Sequence, residues 1–174
     1  MILILTGPVR SGKTTFLKRV VHELKKQQLE IEGFLSEAVL DDQEVIGYDL
    51  FDIKKEESIP FIRKVGERGW QRVGSFFFIP QGLARAEEII IRNKKDGLLF
   101  VDEVGPLELA GGGLWPALEK IIFQSSKRSV LVVRANILEE FLPLLGMGDV
   151  KVFNIEDKKD FSRLIEEITS ISAS

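Results

Sequence analysis

The stretch Gly7-Pro8-Val9-Arg10-Ser11-Gly12-Lys13-Thr14 decides the fold. It matches the pattern G-x-x-x-x-G-K-[ST] of a phosphate-binding loop, or P-loop. The apolar run Ile2–Leu5 before it predicts a strand buried on both faces. Apolar residues at helical spacing over Lys13–Gln28 predict a helix after it. Because the motif requires a strand before the loop and a helix after it, both flanks support the match.

The residue types of the loop suit a bound triphosphate. Glycine lets the backbone wrap around phosphates with its N–H groups pointing inward, and the positive end of the helix faces the same anion. We expect Lys13 to contact the β- and γ-phosphates, Thr14 to bind Mg²⁺, and Thr15 to donate to the α-phosphate. The expected nucleotide-binding residues of this segment are Gly7, Pro8, Val9, Arg10, Ser11, Gly12, Lys13, Thr14 and Thr15.

A second motif is the apolar run Leu98–Val101 followed by the carboxylates of Asp102 and Glu103. In P-loop proteins an aspartate at the end of such a strand lies beside the Ser/Thr of the loop and holds Mg²⁺. We therefore expect Asp102 to bind the metal together with Thr14. A carboxylate next to that aspartate can orient or deprotonate an attacking water, which favours a catalytic role for Glu103 over that of a solvated acid.

Other polar residues near these motifs allow two interpretations each. Glu108, in a predicted glycine-rich loop over Val104–Gly113, either lies near the γ-phosphate or anchors the loop. Arg134 follows the apolar strand Val130–Val133, so it emerges at the edge of the sheet where ligands collect. It is therefore expected to contact nucleotide phosphate, with a surface salt bridge as the alternative.

The order of predicted elements indicates an α/β fold. Strands and helices alternate at both ends of the chain, while the middle is rich in strands and includes a predicted hairpin of Ile31–Leu40 and Val45–Ile53. This pattern, together with the P-loop motif, predicts a single P-loop domain over residues 1–174, an α/β three-layer sandwich with a mostly parallel sheet and an antiparallel β insertion. The other predicted elements are strands at Ser58–Val65, Phe76–Phe78 and Val150–Ile155 and helices at Pro80–Arg92, Leu114–Gln124, Ile137–Leu145 and Asp157–Thr169.

Composition excludes several classes of protein. The 24 basic and 27 acidic residues give a net charge of -3, which argues against a nucleic-acid binder. There is no cysteine and one histidine, so disulfides, zinc–thiolate sites and cysteine nucleophiles are excluded. No apolar run reaches the roughly 18 residues of a membrane span, and we expect a cytoplasmic protein.

Several blocks of the sequence, taken together, resemble the thermophile-type nucleoside-triphosphatase family. The blocks are Gly7–Thr15, Gly33–Glu37, Gly47–Leu50 and Asp102–Leu109, in this order along nearly the whole chain. The resemblance implies a small RecA-like P-loop fold that hydrolyses ATP, GTP and other nucleoside triphosphates with Mg²⁺. It also implies that Lys13 and Thr14 contact phosphate and metal, that Asp102 holds the metal, and that Glu103 is the base.

The sequence departs from the family at Asp157-Lys158-Lys159, where members often carry an Asn-Arg pair. A contact to base or ribose through that pair is therefore not expected in this chain.

Two alternatives to hydrolysis share the P-loop and the metal. A nucleoside or nucleotide kinase needs an acceptor pocket and an arginine-rich lid, for which Arg63, Arg68 and Arg72 are the clustered candidates. A nucleotide-dependent adaptor or metallochaperone switch commonly carries Cys or His metal ligands, and this chain has no cysteine and one histidine. Asn93–Asp96 matches the bare guanine-reading pattern Asn-Lys-x-Asp but precedes the strand that ends in Asp102, so we interpret it as a turn.

Overall fold

The structure is a computed structural model that describes residues 1–9, 11–92, 97–124, 128–146, 148–157 and 159–172. The strands are β1 (Ile2–Gly7), β2 (Ile31–Asp41), β3 (Glu44–Asp52), β4 (Glu57–Arg63), β5 (Arg72–Val73), β6 (Phe76–Phe78), β7 (Leu98–Val104), β8 (Arg128–Arg134) and β9 (Val150–Asn154). The α-helices are α1 (Lys13–Lys26), α2 (Pro80–Arg92), α3 (Pro106–Leu109), α4 (Trp115–Gln124), α5 (Leu138–Phe141) and α6 (Asp160–Ser172).

The described strands form one sheet in the order β5-β6-β4-β3-β2-β7-β8-β1-β9. Pairing is parallel from β2 through β7, β8 and β1 to β9, and antiparallel from β2 through β3, β4 and β6 to β5. The α/β fold with a RecA-like parallel part is confirmed, and the predicted antiparallel insertion continues the same sheet. Strand β8 lies between the P-loop strand β1 and the carboxylate-bearing strand β7.

Helices cover both faces of the parallel part, which gives the predicted three layers. Leu3 and Leu5 of β1 pack with α1 and α6 on one face. Ile2 and Ile4 pack with α2, α4 and α5 on the other. Successive strand residues point to opposite faces, so a fully apolar strand is what a sheet covered on both sides requires.

Gly33 joins the parallel and antiparallel parts of the sheet. It pairs with Phe100 of β7, and its φ of +120° lies in a region that side chains rarely adopt. A Cβ at this position would lie 2.0 Å from the backbone oxygen of Phe100. Glycine here therefore lets β2 approach the strand that carries the acidic pair.

The predicted loop over Val104–Gly113 is wrong in part, because it contains the short helix α3. Pro106 occupies the first turn, where its missing N–H is not needed. The side chain of Glu108 accepts a hydrogen bond from the N–H of Gly105 at the start of this helix.

The predicted continuous helix over Ile137–Leu145 is also wrong. The segment forms a 3₁₀ turn at Ala135–Ile137, one α-helical turn in α5, and a second 3₁₀ turn at Leu142–Leu145. Pro143 explains the interruption, since it cannot donate the hydrogen bond that a continuing α-helix would require.

The remaining differences between the predicted and the observed elements are small. The two-residue edge strand β5 was not predicted, and α6 begins at Asp160 rather than Asp157. Asn93–Asp96, predicted as a turn, lies outside the described residues. Within the described ranges, no helix has the length and apolar character needed to span a membrane.

Candidate active site

The P-loop and the acidic pair meet at one edge of the sheet. Strands β1, β7 and β8 run in parallel, so their carboxyl ends lie side by side. A cleft of about 460 Å³ opens at this edge, a volume typical of small-molecule sites. Its polar lining includes Lys13, Thr14, Asp102, Glu103 and Arg134.

The side chain of Lys13 folds back onto the P-loop and donates hydrogen bonds to its backbone. Lys13 is buried, and its Nζ donates to the backbone oxygens of Gly7 at 3.2 Å and Pro8 at 2.7 Å. Gly12 caps helix α1 with a φ of +87°, a left-handed conformation that glycine adopts without strain. The hydroxyl of Ser11 is buried without a hydrogen-bond partner among the described residues, so it is available to a ligand.

Thr14 and Asp102 are 88 residues apart in the sequence and are brought together by the fold. The Thr14 hydroxyl donates to Oδ2 of Asp102 at 2.8 Å. The backbone N–H of Ser36, on the neighbouring strand β2, donates to the same oxygen at 3.2 Å. The Ser36 hydroxyl also donates to the backbone oxygen of Asp102. These contacts fix the carboxylate beside the first turn of α1.

The side chain of Asp102 is electrostatically unfavourable in its ionised form when no cation is bound. Burial raises the pKa of Asp102 to about 7; the negative charge of Glu103 adds to this, while the hydrogen bond from Thr14 opposes it. A buried carboxylate is costly when ionised unless a positive charge lies beside it. The site is therefore electrostatically prepared for a cation.

Glu103 lies between two cationic groups. Its Oε2 is 3.8 Å from Nζ of Lys13, and its Oε1 accepts a hydrogen bond from Nε of Arg134. The Glu103 side chain is 25% exposed, so water reaches it. Both predicted positions, Glu103 at the end of β7 and Arg134 at the end of β8, thus fall inside the cleft.

Glu108 anchors a loop. Its two carboxylate oxygens accept hydrogen bonds from the backbone N–H groups of Gly105, at 2.9 Å, and Leu114, at 3.2 Å. Burial raises the pKa of Glu108, while these hydrogen bonds oppose the rise. Of the two roles considered for this residue, the structure supports the anchor, which holds the segment after Glu103 in place.

The sequence-predicted site residues mostly converge. Val9, Ser11, Gly12, Lys13, Thr14, Thr15, Asp102, Glu103 and Arg134 line the cleft. Gly7 and Pro8 contribute backbone oxygens to Lys13. Arg10 lies outside the described residues. Arg63, from the arginine cluster considered for a kinase lid, donates to Asp49 at 2.6 Å.

Comparison with known proteins agrees with this geometry. A family model described as NTPase matches residues 2–169. The chain belongs to the NTPase family. It is 30% identical over 175 residues to the nucleoside-triphosphatase THEP1 of Ignicoccus hospitalis, with 98% of each sequence covered. It is also 30% identical over 172 residues to the THEP1 of Archaeoglobus fulgidus, again with 98% of each covered.

Solved structures share the fold of this NTPase-family chain. A human cancer-related nucleoside triphosphatase has a TM-score of 0.72 at 23% identity, covering 99% of this chain and 97% of that one. THEP1 from Aquifex aeolicus has a TM-score of 0.69 at 20% identity, with both chains covered fully. Both confirm the architecture described above.

The cleft of this NTPase-family member fits a divalent cation. Thr14 and Asp102 offer hard oxygen ligands, and the buried carboxylate lacks a full countercharge. The described residues contain no cluster of three or more His, Cys, Asp or Glu side chains that could enclose a metal. A cation bound here would take its other ligands from phosphate and water, which is how Mg²⁺ usually binds beside phosphates.

Sequence reasoning missed the contribution of the middle strands to the site. Ser36 contacts both Thr14 and Asp102, and Tyr48 and Ile62 line the far part of the cleft. The block Gly33–Glu37 contributes to the family resemblance, but the sequence alone assigns it no role. Only the placement of β2 next to β7 could have assigned one, and that placement is a long-range feature.

Proposed function

We propose that this chain hydrolyses nucleoside 5′-triphosphates, including ATP and GTP, to the diphosphate and phosphate in a Mg²⁺-dependent reaction. The observation that carries the proposal is the convergence in one cleft of the P-loop lysine, the Thr14–Asp102 pair and the water-accessible carboxylate of Glu103. The names of the relatives, which specify triphosphatase activity without a particular base, support the same reaction class.

Binding of the triphosphate is assigned to the loop and the first turn of α1. The N–H groups at the start of a helix, together with its dipole, favour an anion. Lys13 is held near the loop by two backbone oxygens and would exchange these for phosphate oxygens. The unpartnered hydroxyl of Ser11 and the exposed Thr15 supply further donors at the same end of the cleft.

Thr14 and Asp102 would hold the Mg²⁺ ion. When bound, such an ion neutralises charge on the terminal phosphates and supplies electrostatic stabilisation of the transition state. Ser36 keeps Asp102 in position through two hydrogen bonds from a different strand. Both protein ligands would therefore already be in position when the metal binds.

Glu103 is proposed to orient and deprotonate the attacking water. In the protein alone its carboxylate is paired with Arg134 and lies near Lys13. A bound triphosphate would attract both cations towards its own oxygens, leaving the carboxylate to accept a proton from water. Arg134 would then face the negative charge that develops on the transferred phosphoryl group.

Phosphate release should be measured with ATP, GTP, CTP and UTP in turn, with Mg²⁺ and with EDTA. Slow release from several of the four, abolished by EDTA, is the expected result. Asp102→Asn is the informative variant, because Asn keeps an oxygen for Thr14 and Ser36 but removes the charge that holds the metal. Its matched control, Asp49→Asn, alters an aspartate that instead pairs with Arg63. Tight binding of nucleotide without release under any condition would favour the kinase or switch alternatives.

A further inference from the structure

The cleft extends beyond the acidic pair along an uncharged surface. Four side chains, Ala38, Tyr48, Ile62 and Phe78, are direct cross-strand neighbours on β2, β3, β4 and β6, and all four line the cleft. Cross-strand neighbours lie on one face of a sheet, so these side chains form a continuous row. We call this row the apolar wall.

The apolar wall is fixed to the core. The ring of Phe78 packs against Phe61, with centroids 5.2 Å apart, and the ring of Tyr48 packs edge-on against Phe76 at 5.8 Å. Val73 of the edge strand β5 also lines the cleft. A rigid surface of this kind binds a flat apolar group with little loss of conformational entropy in the protein.

The sheet order places the apolar wall on the far side of Asp102 from the P-loop. Going from β1 across β8 to β7, the edge presents first the loop, then Arg134, then the acidic pair. The wall begins on the next strand, β2, where Ala38 lies on the same face as Ser36 because strand residues alternate.

A triphosphate in the P-loop leaves this wall uncovered. In the binding mode proposed above, the terminal phosphate would lie towards Thr14 and Asp102, and the α-phosphate, which carries the sugar and base, would lie near Thr15. The base would then extend from the end of the triphosphate opposite to Glu103. An occupant of the wall would instead contact the terminal phosphate from its other side.

We propose that the apolar wall binds a second small molecule, a planar uncharged ring carrying a hydroxyl group, while the P-loop holds the triphosphate. The inference rests on the placement of the triphosphate proposed above. The ring would stack on Tyr48 and Ile62, and the hydroxyl would face Glu103, where polar groups begin. An uncharged ligand fits because Lys18 and Glu37, at the rim, already neutralise each other at 2.8 Å.

A molecule bound to the apolar wall would slow the hydrolysis of the triphosphate. Glu103 and the apolar wall line the same cleft, so a ring bound with its hydroxyl facing Glu103 would displace the water that is proposed to attack. Phosphate release should therefore fall when the second ligand binds.

The test uses 2-naphthylmethanol, a planar, uncharged and fluorescent alcohol. Its anisotropy is measured while the protein is titrated in, with Mg²⁺ and β,γ-imido-ATP already bound. Ala38→Asp and Val73→Asp each place a carboxylate against the ring, and each should weaken binding by about tenfold or more, because that carboxylate would lose hydration. Val65→Asp, the same change at a site that is 83% exposed and outside the cleft lining, should leave binding unchanged. Thermal melting checks that each variant is folded, and the exposed position of Ala38 on β2 makes Ala38→Asp the safer of the two.

Saturable one-site binding beside the nucleotide analogue, weakened as stated, supports the proposal. No saturable binding, or equal binding by native and wall variants, overturns it. Probe binding in a parallel titration without the analogue that is lost when the analogue is present also overturns it, because the wall would then belong to the nucleotide. The anisotropy does not depend on hydrolysis, so probe binding in a protein that releases no phosphate would refute the proposed function and leave this inference standing.

Discussion

Replacing Asp102 by asparagine is expected to stabilise the protein when nucleotide and metal are absent. Both hydrogen bonds to the Asp102 side chain, from Thr14 and from the N–H of Ser36, end on the same oxygen. The amide oxygen of asparagine can take that position and accept both. The substitution therefore removes the buried negative charge while keeping the shape and the hydrogen bonds of the side chain.

The expected gain in the free energy of unfolding follows from the pKa of Asp102, which burial raises from 3.8 to about 7. The folded protein holds a proton that the unfolded chain releases, so the native free energy of unfolding falls as the pH rises from about 4 to about 7. At 1.36 kcal/mol per pH unit, the full effect above pH 7 is roughly 4 kcal/mol. Allowing for the desolvation of the amide, we expect a gain of about 2–4 kcal/mol, or roughly 4–16 °C in melting temperature.

The assay is thermal unfolding in EDTA at a series of pH values from 4.5 to 8.5. The advantage of Asp102→Asn should be largest at the alkaline end and should shrink as the pH approaches 4. Asp52→Asn is the matched control, for which we expect the melting temperature to change in the opposite direction. Burial would raise the pKa of Asp52, but hydrogen bonds from Arg92 and the backbone lower it. Its ionised form therefore stabilises the fold above its ordinary pKa, and Asp52→Asn should lower the melting temperature at pH 8.

If Asp102→Asn melts below the native protein at pH 8, the reasoning is refuted. A gain that stays constant over the whole pH series would also refute it, because the source could not be the ionisation of Asp102.

Three further substitutions probe the rest of the cleft. Lys13→Ala removes a buried cation beside the loop, so affinity for a fluorescent ATP analogue should fall by roughly 10- to 100-fold, the worth of a charge-assisted hydrogen bond; unchanged affinity would contradict the assignment. Arg134→Ala should reduce kcat on the order of 100-fold with a small change in nucleotide affinity, because its charge acts on the transition state; an equal loss in affinity would indicate a binding role instead. Glu108→Ala leaves the N–H groups of Gly105 and Leu114 without their acceptor and should lower the free energy of unfolding, measured by chemical denaturation, by about 1–3 kcal/mol. The exposed control Glu119→Ala should have little effect, and equal stability of the two variants would show that Glu108 is not an anchor.

Much of the site could be predicted because its parts are local in sequence. The P-loop combines strand, turn and helix start in one short segment, and the strand ending in Asp102 carries its acidic pair directly behind it. The edge at which parallel strands end then brings both together without further information. The placement of Arg134 at this edge follows from the same rule, since it ends another predicted apolar strand; only the structure shows that this strand lies between the other two.

The rest depends on pairings between distant segments. Whether Arg134 contacts phosphate or a salt-bridge partner could not be read from one strand, and in the structure it pairs with Glu103. The role of Ser36 required β2 to lie beside β7, and the apolar wall required the register of four strands. Periodicity alone does not specify strand order or register, so these features appear only in the folded chain.

The most direct test of the central claim separates binding from turnover in Glu103→Gln. Glutamine keeps the size of the side chain and an oxygen for Arg134, but it cannot accept a proton from water. The account predicts that kcat for phosphate release falls by about 100-fold or more, while affinity for the Mg²⁺ complex of β,γ-imido-ATP stays within about threefold, a difference below 1 kcal/mol. Turnover close to that of the native protein, or a loss that arises from weaker nucleotide binding, would contradict the assignment of Glu103 as the base.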